Sequence, residues 1–152
     1  MSSRVTAPAY LLVVVGLLSG CRGDDVEGYC ADLSEKRQAI AALSRDGSGA
    51  RLVTEGLEIF EPLRDRAPGD VRDEWDTLVF ALRGLADAIA DAGTTPGELA
   101  RSGQPDGVTD DELALVRDAA VELASDRVQN AGTGIEQHAQ DVCGVDLGLG
   151  PG

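Results

Sequence analysis

The apolar residues of this chain recur at intervals of three, four and seven, which puts them on one side of an α-helix and excludes the alternation of a half-buried strand. Between Asp25 and Arg45 the stripe is Val26, Tyr29, Cys30, Leu33, Ile40 and Leu43, and Asp46-Gly47-Ser48-Gly49 then interrupts it. A second helix is expected from Ala50 to Arg66, with Val53, Leu57, Phe60 and Leu63 on one side. Pro62 should kink it, because proline has no N–H to donate and crowds the preceding turn. Ala67-Pro68 marks a boundary, with Pro68 suited to the first turn of the next helix. That third helix has the cleanest pattern: Val71, Trp75, Leu78, Val79, Leu82, Leu85, Ala86 and Ile89 share a face. Arg72, Asp73, Asp76, Asp87 and Asp91 lie opposite or at its border.

Residues 92–108 are rich in Gly and Pro and form the principal loop, with one short turn where Thr95-Pro96-Gly97-Glu98 offers a capping box. Thr109-Asp110-Asp111-Glu112 is a stronger box, since its acids also suit the positive end of a helix. A single alanine-rich helix is expected from there through Leu113, Val116, Leu123, Val128 and Ile135 to Val142, with Gly132 and Gly134 as points of bending or interruption. Gly144 can stop it. The small residues of this helix let a neighbour approach closely. The fold expected is all-α: an antiparallel bundle of about four helices.

Charge narrows the partners. The chain has 13 Lys+Arg against 27 Asp+Glu, a net charge of −14. Nucleic acid is excluded as a partner, because phosphate neutralisation by Lys and Arg supplies most of that affinity. One His and three Cys leave no basis for an ordinary zinc site, and no cofactor or metal is expected. Asp46 to Glu58 has a faint calcium-loop look, but Ala50 and Arg51 stand where an oxygen ligand and the required glycine belong.

Residues 1–20 contain no acid, carry Arg4 near the start and run Tyr10-Leu-Leu-Val-Val-Val-Gly-Leu-Leu18 before Ser19-Gly20-Cys21, a signal-peptide pattern. The apolar run is shorter than the roughly 20 residues a membrane-spanning helix needs. Leu18-Ser19-Gly20-Cys21 resembles the lipobox of bacterial lipoproteins. That resemblance implies cleavage before Cys21, a diacylglyceryl thioether on its sulfur, and residence at the extracytoplasmic face of the cell membrane. The double acyl chain suffices for stable anchoring. Losing residues 1–20 removes one base and no acid, so the −14 becomes −15 and every acid belongs to the mature body. The divisions expected are residues 1–20 as signal peptide, 21–25 as lipidated tether, 26–147 as helical domain and 148–152 as disordered tail.

With Cys21 acylated, Cys30 and Cys143 remain, and an even pair in an exported chain reads as a disulfide. The Tyr29-Cys30-Ala31-Asp32-Leu33 opening, the Ala67-Pro68 before a Trp75-bearing helix and the closing Val142-Cys143-Gly144-Val145-Asp146 resemble small helical lipoproteins of GC-rich Gram-positive bacteria. The resemblance implies an envelope location and the same Cys30–Cys143 bridge, and it transfers no catalytic residue.

Few residues invite a chemical reading. His138 has no accompanying nucleophile motif and is expected to sit favourably against a helix C-terminus. Glu74 and Asp73 fall towards an outer helix face. Arg22-Gly23-Asp24 matches an adhesion tripeptide in letters but adjoins the expected lipid. Phe80 is the oddity: on a helical wheel it lies about 180° from Val71 and Ile89, among Asp73, Asp76, Gly84 and Asp87. It is either an exposed partner surface or, as preferred here, packed under the Gly-rich loop. The function expected is a non-enzymatic envelope interaction or structural module with an envelope protein as partner. The alternative is a small-ligand or solute-binding lipoprotein with the ligand between helices and loop 92–108 as its lid. Full burial of Trp75 and Leu82 in a solid bundle would count against that alternative.

Overall fold

A computed structural model describes residues 23–45 and 49–149. Among the described residues there are six helices and no strand: α1 (Gly23–Arg45), α2 (Ala50–Arg66), α3 (Arg72–Asp91), α4 (Pro96–Ser102), α5 (Asp110–Leu123) and α6 (Asp126–Cys143). Helix α1 starts slightly earlier than its periodicity indicated, inside the segment expected to be tether, and Pro62 does not end α2. Pro68 lies in a turn before α3, where its carbonyl accepts from Val71 N (3.2 Å), rather than in the helix.

Successive long helices run against one another. Arg66 at the end of α2 reaches Asp32 near the start of α1 (2.7 Å), and Arg64 reaches Asp76 near the start of α3 (3.7 Å). Helices α5 and α6 together retrace α3. Leu113 and Val116 cluster with Leu85 and Ile89 near the α3 C-terminus, whereas Ile135 and Ala139 join the cluster around Trp75 near its start. The core therefore has two parts. The larger holds Tyr29, Leu33, Phe60, Trp75 and Leu82 with the α6 face, and the smaller surrounds Leu85, Ile89, Val108, Leu113 and Val116.

Three expectations are corrected. About four helices become six, because the last is two and the Gly-rich loop contains α4. The break falls at Ala124 and Ser125, not at Gly132 and Gly134: Ala124 N closes α5 on Ala120 O (3.0 Å), and the Ser125 hydroxyl caps α6 by accepting from Val128 N (3.4 Å). Both glycines stay helical. Gly134 instead permits the close approach expected of small residues, since a Cβ there would meet Glu74 Cγ at 3.0 Å. Gly144 does stop α6, in the left-handed conformation at φ 67°.

The third correction concerns the tail, of which residues 150–152 lie outside the described residues. Leu147 is fully buried and Leu149 packs against the larger core cluster. Glu136, only 6% exposed, holds them: Oε1 accepts from Leu147 N (3.1 Å) and Gln140 Nε2 (2.6 Å), and Oε2 accepts from Leu149 N (2.9 Å). An apolar side chain in this place would leave buried amides without acceptors. Glu136→Ala is therefore expected to lower stability by about 2 kcal/mol and to expose the C-terminus to carboxypeptidase. Urea unfolding checks this, and an unchanged midpoint with an uncleaved terminus would refute the latch.

Candidate functional site

An apolar groove of ≈ 480 Å³ lies between α2, α4 and α5, with α3 as its floor. Leu52 and Val53 form one wall, Leu85 and Ile89 the floor, and Val116 and Leu123 the other wall, while Pro96 and Leu99 of α4 close the end. None of its lining residues carries a polar side chain. Helix α4 is fixed there by the capping box foreseen at Thr95. The Thr95 hydroxyl accepts from Glu98 N (3.2 Å), and the Glu98 carboxylate accepts from Thr95 N (3.0 Å). The Thr95 and Thr94 hydroxyls hold the Glu98 carboxyl below its ordinary range. At the far end of the loop, Gln104 Nε2 donates to Val108 O (3.1 Å) and Asp110 Oδ1 (3.0 Å), and Thr109 with Glu112 forms the second box.

Trp75 and Leu82 are fully buried, which counts against a ligand held at the centre of the helices. The groove lies to one side, and residues 92–108 supply its end wall. Leu99 went unnoticed in the sequence, although the capping box before it announced a helical turn and it is the largest apolar residue of that loop.

Phe80 is 72% exposed, which corrects the preferred expectation that the Gly-rich loop covers it. The loop folds into α4, which packs on α2 instead. Around the α3 face that carries Phe80, Arg83 pairs with Glu61 and Arg64 with Asp65 (2.9 Å) and Asp76, while Asp73 and Asp87 are exposed. Leu115 and Val121 on α5 are further exposed apolar residues.

His138 lies in a different place, with 10% of its side chain exposed. Its ring meets Tyr29 edge-on (centroids 5.8 Å apart), its Nε2 is 3.5 Å from Asp70 Oδ1, and neither ring nitrogen has a hydrogen-bond partner. The Tyr29 hydroxyl accepts from Trp75 Nε1 (2.7 Å). Burial pushes the Tyr29 phenol up to about 12, opposed by the Trp75 hydrogen bond and assisted by the Asp70 charge. The phenol is therefore neutral near pH 7. A larger depression of ≈ 990 Å³ beside it is lined by Arg66, Asp70 and Arg72, but Arg66 is bound to Asp32 and Arg72 to Ala67 O (2.6 Å).

Cys30 and Cys143 form a disulfide across 113 residues. Cys21, like Arg22 and Asp46, lies outside the described residues. Glu74 lies against Gly134 of α6. Among the described residues no three His, Cys, Asp or Glu gather as a metal site, and no helix is long and apolar enough to cross a membrane. No protein-family model, no curated protein and no solved structure matches this chain.

Proposed function

We propose that this chain is a lipid-anchored module of the cell envelope, held at the extracytoplasmic face through Cys21 and working by binding rather than by catalysis. The observation that carries the reading is Phe80, a large aromatic left open on an otherwise charged helix face. Exposed aromatics are enriched where proteins meet partners, and one set among polar neighbours has the layout of an anchor with a rim. The Leu18-Ser19-Gly20-Cys21 motif supports the anchoring, and the neutral, hydrogen-bonded Tyr29 beside His138 supports a structural role for that cluster. The scaffold under this reading is an antiparallel bundle of four, with α5 and α6 as its last member and α4 as an appendage.

A photo-crosslinking amino acid in place of Phe80, used in the living cell, is expected to capture a discrete envelope protein. Phe80→Ser should abolish association with that protein while shifting stability by no more than about 0.5 kcal/mol. Release of the Cys21→Ser variant from membranes is expected in parallel. An unacylated wild-type protein recovered from the cytosol would defeat the reading.

A second reading, small-ligand binding, is favoured by the apolar groove that residues 92–108 help to close. Its volume falls within the range of small-molecule sites.

A further inference from the structure

We infer that the groove between α2, α4 and α5 is a site for a neutral, single-chain aliphatic molecule, such as a long-chain alcohol. This rests on the small-ligand reading above and names the ligand class. The lining contains only aliphatic side chains and glycine, so no side chain offers an occupant a hydrogen bond. A polar ligand would give up hydration with nothing in return, whereas a hydrocarbon chain gains from every ångström of apolar surface it covers. At the mouth Ala100, Ala120 and Ala124 are exposed and small, which leaves a slot over the floor of Leu85 and Ile89.

Charge decides the head group. The net charge is −14, and α5 opens on Asp110, Asp111 and Glu112. A carboxylate or phosphate head is repelled by that field, while a neutral hydroxyl is not.

Position excludes the protein's own lipid as occupant. Helix α1 begins at Gly23, beside Cys21, and ends at Arg45, and Gly49 already lines the groove. At about 1.5 Å per residue, α1 separates the anchor from the groove by roughly 30 Å. The groove lies towards the end of α1 remote from Gly23, so the inferred occupant is a separate molecule.

The test uses the full lipidated chain in phosphatidylcholine vesicles with a photoreactive diazirine analogue of hexadecanol, mapping adducts by mass spectrometry. Saturable labelling of Leu99 and Leu123 peptides is expected, with competition by hexadecanol at least about tenfold stronger than by hexadecanoate. Ala120→Trp, at an exposed mouth position, and Leu99→Glu, inside, are each expected to reduce labelling about tenfold. Leu115→Trp on the exposed side of α5 is expected to leave it unchanged. Circular dichroism confirms that each variant is folded.

Equal competition by hexadecanoate overturns the inferred ligand class while leaving a ligand groove in place. Absence of saturable labelling, or labelling insensitive to both groove variants, overturns the small-ligand reading itself. Adducts that join two copies of the chain, or the chain to another protein, show the groove to be a protein interface and overturn both.

Discussion

Reduction of the Cys30–Cys143 disulfide is expected to lower the stability of this protein by about 4 to 5 kcal/mol, the largest effect of any single covalent change. The bond closes a loop of 113 residues, so the reduced unfolded chain recovers nearly all the freedom that the crosslink denies it. In the folded state the two sulfurs join the start of α1 to the last residue of α6, and both cysteines pack against the larger core cluster. Cys30→Ser and Cys143→Ser are expected to act alike and non-additively, because either one alone removes the bond. Urea unfolding with and without reductant measures the effect, and mass analysis without reductant should yield one crosslinked peptide carrying both residues. Coincident unfolding curves, or two free thiols, would show that the fold does not depend on this staple.

Trp75→Ala is expected to cost about 3 to 5 kcal/mol. The indole is fully buried, lies against Phe60 (centroids 5.7 Å apart) and donates to the Tyr29 hydroxyl. It thus ties α3 to α2 through apolar contact and to α1 through a hydrogen bond. Trp75→Phe keeps most of the contact and loses the bond, for which about 1 to 2 kcal/mol is expected. A cycle with Tyr29→Phe separates the two contributions: the coupling should be about 1 kcal/mol if the hydrogen bond carries it. Domains of this size are stable by only about 5 to 15 kcal/mol, so Trp75→Ala removes a large share of the total. A Trp75→Ala protein that unfolds at the wild-type urea concentration would rule out this account of the core.

The parts of the fold that were legible in the amino-acid order are those governed by local spacing. Tyr29, Leu33, Ile40, Leu43, Phe60, Leu63, Trp75, Leu78, Leu82 and Ile89 all stand in the core, as their helical period required. The two capping boxes formed at Thr95 and Thr109, and Gly144 ended α6. The break at Ser125 was missed because α5 and α6 both bury their apolar sides against α3, so the period runs on through the gap. Ser125-Asp126 was the available sign, a cap residue and an acid in sequence. The tail from Gly148 reads as disordered because Leu149, unlike Leu147 in the expected domain, sits between glycines. Their anchor, Glu136, is eleven and thirteen residues away, and no local rule links them. Phe80 posed a choice that spacing alone does not decide, since cover over an outer helix face depends on where a loop folds. The groove was hidden for the same reason: Leu52, Leu99 and Leu123 come together only when α4 docks.

The division of the core into two clusters gives the domain an uneven resistance to opening. The disulfide, the Trp75–Tyr29 bond and the Glu136 latch all act on the larger cluster, while the smaller one is closed by α4, α5 and the end of α3 without any crosslink. The amide protons of that region are therefore expected to exchange through partial opening, ahead of global unfolding. Leu85, Ile89 and Val116 belong both to that region and to the groove lining. The part of the fold that holds the disulfide is thus the more firmly tied, and the part that carries the groove is the one expected to breathe.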